Sequence, residues 1–572
     1  MENQKISFIV YLKNPSNQER IVDLVKNFKT PSSFDFKLIF AFGNTIGESF
    51  SKVRDDSYIK IWTTDSILQI SDKIWNSISL ITENNRDARI IGFLGSEIPI
   101  DADISKSQSI FGSYTFTEDG ESAIRDNFRE PYIFQEVQMI DPALFMTLGN
   151  EIAFDSKVAD EYLGAAICLN LKGKGFKSVV AMTPKDEPIA IFNQPNIYSR
   201  PIHETSQKKF FDRYHKKFLP LVSILIPSYN QPEFFKLALE SALNQTYSNI
   251  EILVGDDSTD DRVQNLIKPY LKKHRNLFYD RHEKPLGHNG RGNMQKLLED
   301  CHGEYIQYLY HDDLIKPEKI YRMIEIFQHD IVEEIAFVAS VRNLIDADGN
   351  IIDESTFNPP ANTIIESKNL TRSILENCGN GIGELTTILF RKNDLWKDLN
   401  EIPRIGNFLG MQDDSMWDVS TFLEVGRKHG KIVFLRDTLS SMRLHADQNS
   451  QNPRVCVTVL LDFLGFILTA FAYRIHIETS TQLIRMLKLW TERQKSIRKN
   501  IQIDWDKFFN EDSNPQTIIL KKIIDALESK NFREAIHLEL TYLETKDGIA
   551  QFMDSFCRNE NGFWTLKNFM EE

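Results

Sequence analysis

The sequence predicts an α/β protein, with two doubly wound modules of mostly parallel sheet in tandem and a helical block at the C-terminus. Three observations predict it. Apolar strand-like runs alternate with helix-length amphipathic segments up to about residue 452, and such alternation implies βαβ units. Short acidic turns follow apolar runs in the second module, where an open α/β sheet presents ligands at the carboxyl ends of its strands. From Pro453 onward strand signals thin out and amphipathic runs dominate. At 572 residues the chain exceeds a single core and divides into several domains.

The first block, 1–197, opens with a strand over Ser7–Leu12 and a helix over Gln18–Phe28. Further strands follow at Lys37–Phe42, Ala88–Leu94 and Ser178–Met182. A linker, 198–220, carries Lys208, Lys209, Arg213, Lys216 and Lys217 and reads as a solvated connector, with contact to an acidic surface as the alternative. The second block, 221–452, gives strands at Val222–Ile226, Ile250–Val254, Leu277–Tyr279 and Tyr305–Leu309. Its helices are Glu233–Leu243, Arg262–Lys273, Arg291–Asp300 and Pro317–His329, with Pro317 placed in a first turn. The third block, 453–572, is helical. Within it, Ile523–Leu538 resembles one copy of a helical-hairpin repeat.

Composition narrows the function classes. Hydrophobic residues at 41% and charged residues at 26% fit a soluble globular protein, and a net charge of −14 argues against nucleic acid. The five cysteines, Cys168, Cys301, Cys378, Cys456 and Cys557, lack CxxC spacing and suit reduced thiols without zinc. Met1–Lys5 leads straight into a strand, so no signal peptide is expected and the cytoplasm is the expected compartment. The apolar run Val455–Tyr473 approaches a membrane span in length. Asp462 interrupts it, and a carboxylate mid-span costs about 2.5–3.5 kcal/mol. A buried helix is the preferred reading; peripheral association with the inner face of the membrane is the alternative.

The chemistry gathers in the second block. Val222–Asn230 runs a strand into Pro227-Ser228-Tyr229-Asn230, Gly255-Asp256-Asp257-Ser258-Thr259-Asp260 forms an acidic turn, and Tyr308-Leu309-Tyr310-His311-Asp312-Asp313 a second one. Hard cations such as Mg²⁺ and Mn²⁺ take carboxylate oxygen and share their coordination with substrate phosphates. In this order the segments describe a site for a divalent metal and a nucleotide diphosphate. Asp256 and Asp260 as mere turn formers, and Asp413-Asp414 as a helix start favoured by the macrodipole, are the plain alternatives.

The ordered set resembles the family 2 glycosyltransferases of the GT-A fold, a Rossmann-like α/β architecture. The match adds Ser241–Tyr247, Gly287 and Asn293 in a loop, Gly303-Glu304-Tyr305-Ile306, Gln412-Asp413-Asp414 and Arg443-Leu444-His445. The resemblance implies a nucleotide-sugar donor, UDP-linked in the first instance, a glycan or glycoconjugate acceptor, and Mn²⁺ or Mg²⁺. It places the donor on Pro227, Ser228, Tyr229, Asn230, Asp256, Asp257, Asn293, His311 and Asp312. It places the metal on Asp312, with Asp313 close by and His445 as a further ligand. Two departures stand out: Tyr310 replaces the first carboxylate of the usual Asp-x-Asp-Asp, and Gly255-Asp256-Asp257-Ser258 replaces Asp-Asp-Gly-Ser.

The resemblance implies transfer with inversion, which needs one base for the acceptor hydroxyl. Asp414 fits, being far in sequence from the metal turn, while Asp413 is the alternative neighbour or an acceptor-orienting group. Gly379–Glu384 precedes a strand-like Leu385–Phe390, which suits an acceptor-side loop better than a phosphate cradle.

The first block resembles a worn second copy of the same module. Lys13-Asn14-Pro15 ends its first strand, Phe42-Gly43-Asn44-Thr45 lacks the acidic turn, and Phe93–Glu97 keeps only Glu97. Phe154-Asp155 and Asp160-Glu161 echo the later acidic segment. A non-catalytic scaffold or acceptor-binding domain is expected, with a second active transferase as the alternative. A nucleotidyltransferase would want a glycine-rich basic loop that Ile226–Gln231 does not offer. A non-catalytic glycan-binding protein stays open because of Tyr310.

Overall fold

The structure, a computed structural model, describes residues 5–29, 35–107, 110–112, 115–118, 121–122, 134–181, 189–193, 202–330, 333–354, 361–398, 400–445, 452–499, 501 and 503–543. Met182, Cys557 and the helical expectation beyond residue 543 lie outside these residues. The chain divides into two compact units, Met1–Leu219 and Pro220–Glu572.

In the first unit, strands β1 (Lys5–Tyr11), β2 (Asp35–Ala41), β3 (Ile59–Thr64), β4 (Ala88–Gly92), β5 (Phe134–Glu136), β6 (Leu144–Leu148) and β7 (Lys177–Ala181) form one sheet, in the order β5-β7-β4-β6-β3-β1-β2. β1 pairs in parallel with both β2 and β3, whereas β6 enters antiparallel between β3 and β4. The sheet is therefore mixed. Ile6, Phe8, Ile9 and Val10 of β1 are all fully buried, as expected of a strand covered on both faces.

The segment expected as a connector instead holds a helix over Glu204–Phe218. Phe210, Tyr214 and Phe218 recur at a spacing of four and bury one face. Phe210 stacks on Tyr162 of the helix Asp160–Lys172 at 4.5 Å, and the Tyr214 hydroxyl donates to Asp155 at 2.8 Å. The lysines of the expected connector occupy its exposed side.

The second unit is built on β8 (Val222–Ser228), β9 (Ile250–Asp256), β10 (Leu277–Arg281), β11 (Tyr305–Tyr308), β12 (Leu314–Ile315), β13 (Ile335–Ile345), β14 (Ile388–Arg391) and β15 (Lys431–Arg443), ordered β10-β9-β8-β11-β14-β13-β15-β12. The run from β10 to β11 is parallel. β14 then joins antiparallel on both sides and turns the sheet mixed. Pro317 lies two residues ahead of its helix, Lys319–Gln328, where its carbonyl accepts from Thr246 N–H at 2.8 Å. Leu385–Thr387 forms a 3-10 turn before β14 rather than part of the strand.

The C-terminal helices belong to this same unit. We label them α1 (Pro453–Ala472), α2 (Ser480–Lys499), α3 (Trp505–Glu511), α4 (Pro515–Glu528) and α5 (Phe532–Leu543). Asn-Pro pairs start two of them: the Asn452 and Asn514 side chains accept from the N–H two residues on, and Pro453 and Pro515 fill the first helical position. Leu460, Phe466, Trp490, Leu520 and Leu543 join Phe408, Met411 and Phe422 in one hydrophobic core, because an amphipathic bundle this apolar must cover itself against the sheet domain. α1 is long and apolar enough to cross a membrane, with a hydropathy of 2.3, yet 83% of its most apolar window is buried within the unit.

Lys319 is fully buried, its ammonium nitrogen reaching Ser340 Oγ and the Thr387 carbonyl, each at 3.1 Å. Burial holds this amine well below its ordinary value. The unfolded chain keeps that proton to higher pH than the folded one, so this group makes stability rise as pH rises towards the unfolded lysine value of about 10.4. Lys319→Met removes the penalty. Urea midpoints should be higher than wild type at pH 6 and converge with it towards pH 10.

Candidate active site

The parallel register sets Ser228 beside Asp256 and Asp256 beside Arg281, so three strands end together. Asn230 adopts φ +53°, a left-handed backbone that asparagine tolerates better than most residues. From there its side-chain oxygen accepts from Thr259 N–H at 2.9 Å, while its own N–H donates to Ser258 Oγ at 2.9 Å. Asp257 N–H donates to the Ser228 carbonyl at 3.0 Å. The two expected nucleotide segments are thus stitched into one ledge, with Pro227 at its back and the Tyr229 ring 48% exposed at its rim.

The two carboxylates of the ledge differ. Asp256 is fully buried and accepts from Ser258 N–H at 2.9 Å and the Tyr279 hydroxyl at 2.7 Å. Burial, followed by this bond to Asp256, pushes the Tyr279 phenol up. Asp257 faces His282, whose Nδ1 lies 2.6 Å from Oδ1, and it also accepts from Leu286 N–H. Gly255 has no room for a side chain: a Cβ there would lie 2.0 Å from Asn293 Oδ1. That accounts for a glycine at 255. Asn293 itself donates to the Gly255 carbonyl at 2.8 Å. Ser228 Oγ, Asn293 Oδ1 and His282 Nε2 are buried around this ledge without hydrogen-bond partners among the described residues. Buried polar atoms are normally paired, so the unpaired atoms here leave hydrogen-bonding capacity for a polar ligand, with His282 Nε2 also 3.6 Å from Asp280 Oδ2.

The residues expected on the metal side separate. His445 Nε2 meets Asp312 Oδ2 at 3.1 Å across 133 residues of sequence, and Arg443 donates to the Asp312 carbonyl at 3.0 Å. Asp313 turns inward instead. It accepts from Thr386 Oγ1 at 2.8 Å and Arg443 N–H at 3.2 Å, and burial, then the Asp312 charge, push its acid up to about 8. His311 bridges back to the ledge, with its ring nitrogens 3.2 Å from the Pro227 carbonyl and 3.0 Å from Gln231 Oε1, and burial lowers its basicity. The Tyr310 phenol, in place of a carboxylate, lies in the field of Asp418, Asp313 and Asp312 and is pushed up by burial. Among the described residues no group of three or more His, Cys, Asp or Glu side chains converges as a metal cage. One carboxylate and one imidazole suit a hard cation that takes its remaining ligands from diphosphate and water.

The last expected pair sits on the turn before the helix Trp417–Lys428. Asp413 is buried and its Oδ1 accepts from Met416 N–H at 3.1 Å, while Arg291 donates to its carbonyl at 2.6 Å. Asn293 and Arg291, from one helix (Arg291–Asp300), therefore bind the nucleotide ledge and this turn together. Asp414 is half-buried, and its Oδ2 accepts from Gln516 Nε2 at 3.2 Å and from the Tyr542 hydroxyl. Asp462 of α1 accepts both Asp414 N–H and Ser415 N–H, the latter at 2.9 Å. In the Gly379–Glu384 loop, Asn380 Oδ1 takes the N–H groups of Ile382 and Gly383, so these do not form a phosphate cradle. Asn380 also donates to Asp418, whose acid burial pushes up to about 6.

Tyr279, His282, Arg291, Asp418, Gln516 and Tyr542 were invisible as site residues in the sequence. Asp462 had a signal, as the lone carboxylate of an apolar run.

Residues 223–396 match the family model described as Glycosyl transferase family 2. The chain carries a family 2 glycosyltransferase domain. Residues 7–214 match a second model, described as Glycosyltransferase like family. The chain is similar to chondroitin synthase of Escherichia coli, 36% identical over 137 residues, which are 24% of this chain and 19% of that protein. It is also similar to an uncharacterized glycosyltransferase of Methanocaldococcus jannaschii, 30% identical over 137 residues, 24% of this chain and 46% of the relative. The chain thus spans less than half the length of these relatives. Among solved structures, S. aureus TarS matches with a TM-score of 0.35 and 16% identity, over 56% of this chain and 55% of that one. A mannosyltransferase from Pyrobaculum calidifontis, solved with GDP-Man and Mn²⁺, matches with a TM-score of 0.32 and 13% identity, over 60% and 89%.

Tyr279→Phe tests the ledge. It removes one of the two donors that hold the buried Asp256 carboxylate, and an under-satisfied buried group costs about 1–3 kcal/mol. Urea unfolding should report a loss of that size.

Proposed function

We propose that the second unit transfers a sugar with inversion from a nucleotide diphosphate donor, UDP-linked in the first instance, to a hydroxyl of a glycan or glycoconjugate. The observation that carries this reading is the joining of the orphaned polar ledge to the Asp312–His445 couple through His311. The ledge residues Pro227, Ser228, Tyr229, Asn230, Asp256, Asp257 and Asn293 would take the nucleoside. Asp312 and His445 would hold Mn²⁺ or Mg²⁺, which supplies charge neutralisation for the departing diphosphate. Asp313 belongs to the scaffold behind them.

In the transfer, the acceptor oxygen forms its bond to the anomeric carbon as the bond from that carbon to the diphosphate oxygen breaks. The diphosphate leaves with the electron pair, and the hydroxyl proton passes to the Asp414 carboxylate. Asp413, committed to its helix start, orients the turn. Asp414→Asn keeps shape and loses the proton acceptor, so kcat should fall by about 10²–10⁴-fold with donor affinity unchanged. Retained turnover would remove Asp414 from the mechanism. Asp312→Ala should abolish Mn²⁺-dependent UDP-sugar binding in calorimetry; unchanged Mn²⁺-dependent affinity would take the metal off Asp312.

A second reading, with two transferase sites in one chain, is favoured by the match of residues 7–214 to a glycosyltransferase-like family. Against it, three of the first unit's carboxylates are held by its own chain. Asp65 accepts from Asn14 N–H at 2.8 Å, Asp160 from Ile46 N–H at 2.8 Å, and Asp155 binds Tyr214. Calorimetric stoichiometry on the full-length wild-type chain decides between them: one sugar nucleotide per chain fits a single site, and two would establish the two-site reading.

A further inference from the structure

We propose that the C-terminal helices complete the active site, with Tyr542 and Gln516 fixing the Asp414 carboxylate and Asp462 fixing the backbone of the turn that carries it. This rests on the reading of Asp414 as the base.

Three elements distant in sequence converge on one turn. From α5, the Tyr542 hydroxyl donates to Asp414 Oδ2; from α4, Gln516 Nε2 donates to the same oxygen at 3.2 Å and lies 3.4 Å from the Tyr542 hydroxyl. From α1, the Asp462 carboxylate accepts Asp414 N–H at 3.1 Å and Ser415 N–H at 2.9 Å, while Thr458, one turn earlier, meets the Ser415 hydroxyl. Asp462 is fully buried, in the middle of the most apolar helix of the described chain. A buried carboxyl group needs partners to offset its desolvation, and two backbone N–H groups from one turn are such partners here.

The physical effect follows from the side chain's freedom. The terminal torsion of an aspartate is broad, so a half-buried carboxylate alone would sample many orientations. Two donors on one oxygen fix its plane, and the carboxylate clamp on the backbone fixes its origin. General-base catalysis depends on such placement within a fraction of an ångström. Tyr542, Gln516 and Asp462 are positioning residues, acting through Asp414. Burial and the neighbouring charges of Asp462, Asp414 and Glu539 push the Tyr542 phenol far up, which keeps it a donor.

The test uses the full chain, Mn²⁺ and a panel of UDP-glucose, UDP-N-acetylglucosamine and UDP-glucuronate, with UDP release to water as the turnover. Tyr542→Phe removes one oxygen and keeps the ring in the core. It should lower kcat about 10-fold, leaving donor KM and Tm close to wild type, and Gln516→Met should do the same more weakly. In the Asp414→Asn background, Tyr542→Phe should cost nothing further. A Tyr542→Phe chain with wild-type or faster turnover overturns the proposal, as does a loss of turnover that multiplies independently with Asp414→Asn. An Asp414→Asn chain that itself turns over at the wild-type rate overturns the base assignment, and the positioning proposal falls with it. Inactive Asp414→Asn beside fully active Tyr542→Phe overturns the positioning proposal alone.

Discussion

The carboxylate of Asp462 is the constraint on which the second unit's architecture turns. A 20-residue helix apolar enough for lipid carries one acid at its centre, and that acid is spent on the N–H groups of Asp414 and Ser415. To bring it there, α1 must lie against the Met411–Gln412 hairpin, with Gly465 facing Met411 across a gap that admits no larger residue without movement. The remaining helices then cover α1, and their buried faces follow from that need. The sheet supplies the ledge and the Asp312–His445 couple, and the helices hold the Asp413–Asp414 turn. Neither half presents the full constellation alone.

A second coupling runs through the short helix Arg291–Asp300. Asn293 binds the Gly255 carbonyl under the nucleotide ledge, and one residue pair earlier Arg291 binds the Asp413 carbonyl. Displacement of this helix would therefore disturb both turns at once. The left-handed Gly290 at its start, with φ +98°, lets the preceding loop leave the helix sharply and keeps that end compact.

Legibility in the sequence followed the range of the interaction. The strands read at Val222–Ile226 and Ile250–Val254 start where the structure starts them and stop two residues early, and the helix Arg291–Asp300 agrees at both ends, because continuous apolar runs and a 3.6-residue period are local signals. The antiparallel strand β6 and the helix within 198–220 were harder: β6 owes its place to pairing on both sides, and that helix owes its stability to three aromatic contacts. At the site, Asp256, Asn293 and Asp312 could be named from motif order. Their depths could not. Asp313 stands beside Asp312 in sequence, yet Thr386 and Arg443 pull it into the scaffold. Gln516 and Tyr542 carry no motif at all, since their partner lies more than a hundred residues away.

The grip of Tyr542 on Asp414 also orders events in time. During synthesis the nucleotide ledge and the Asp312 turn leave the ribosome well before α5, the last helix described. Domains fold as units, and α5 belongs to the same unit as the ledge, so the Asp414 turn lacks its anchor until α5 has emerged. A carboxylate and its hydroxyl partner 128 residues apart thus tie the geometry of one turn to a late-made helix.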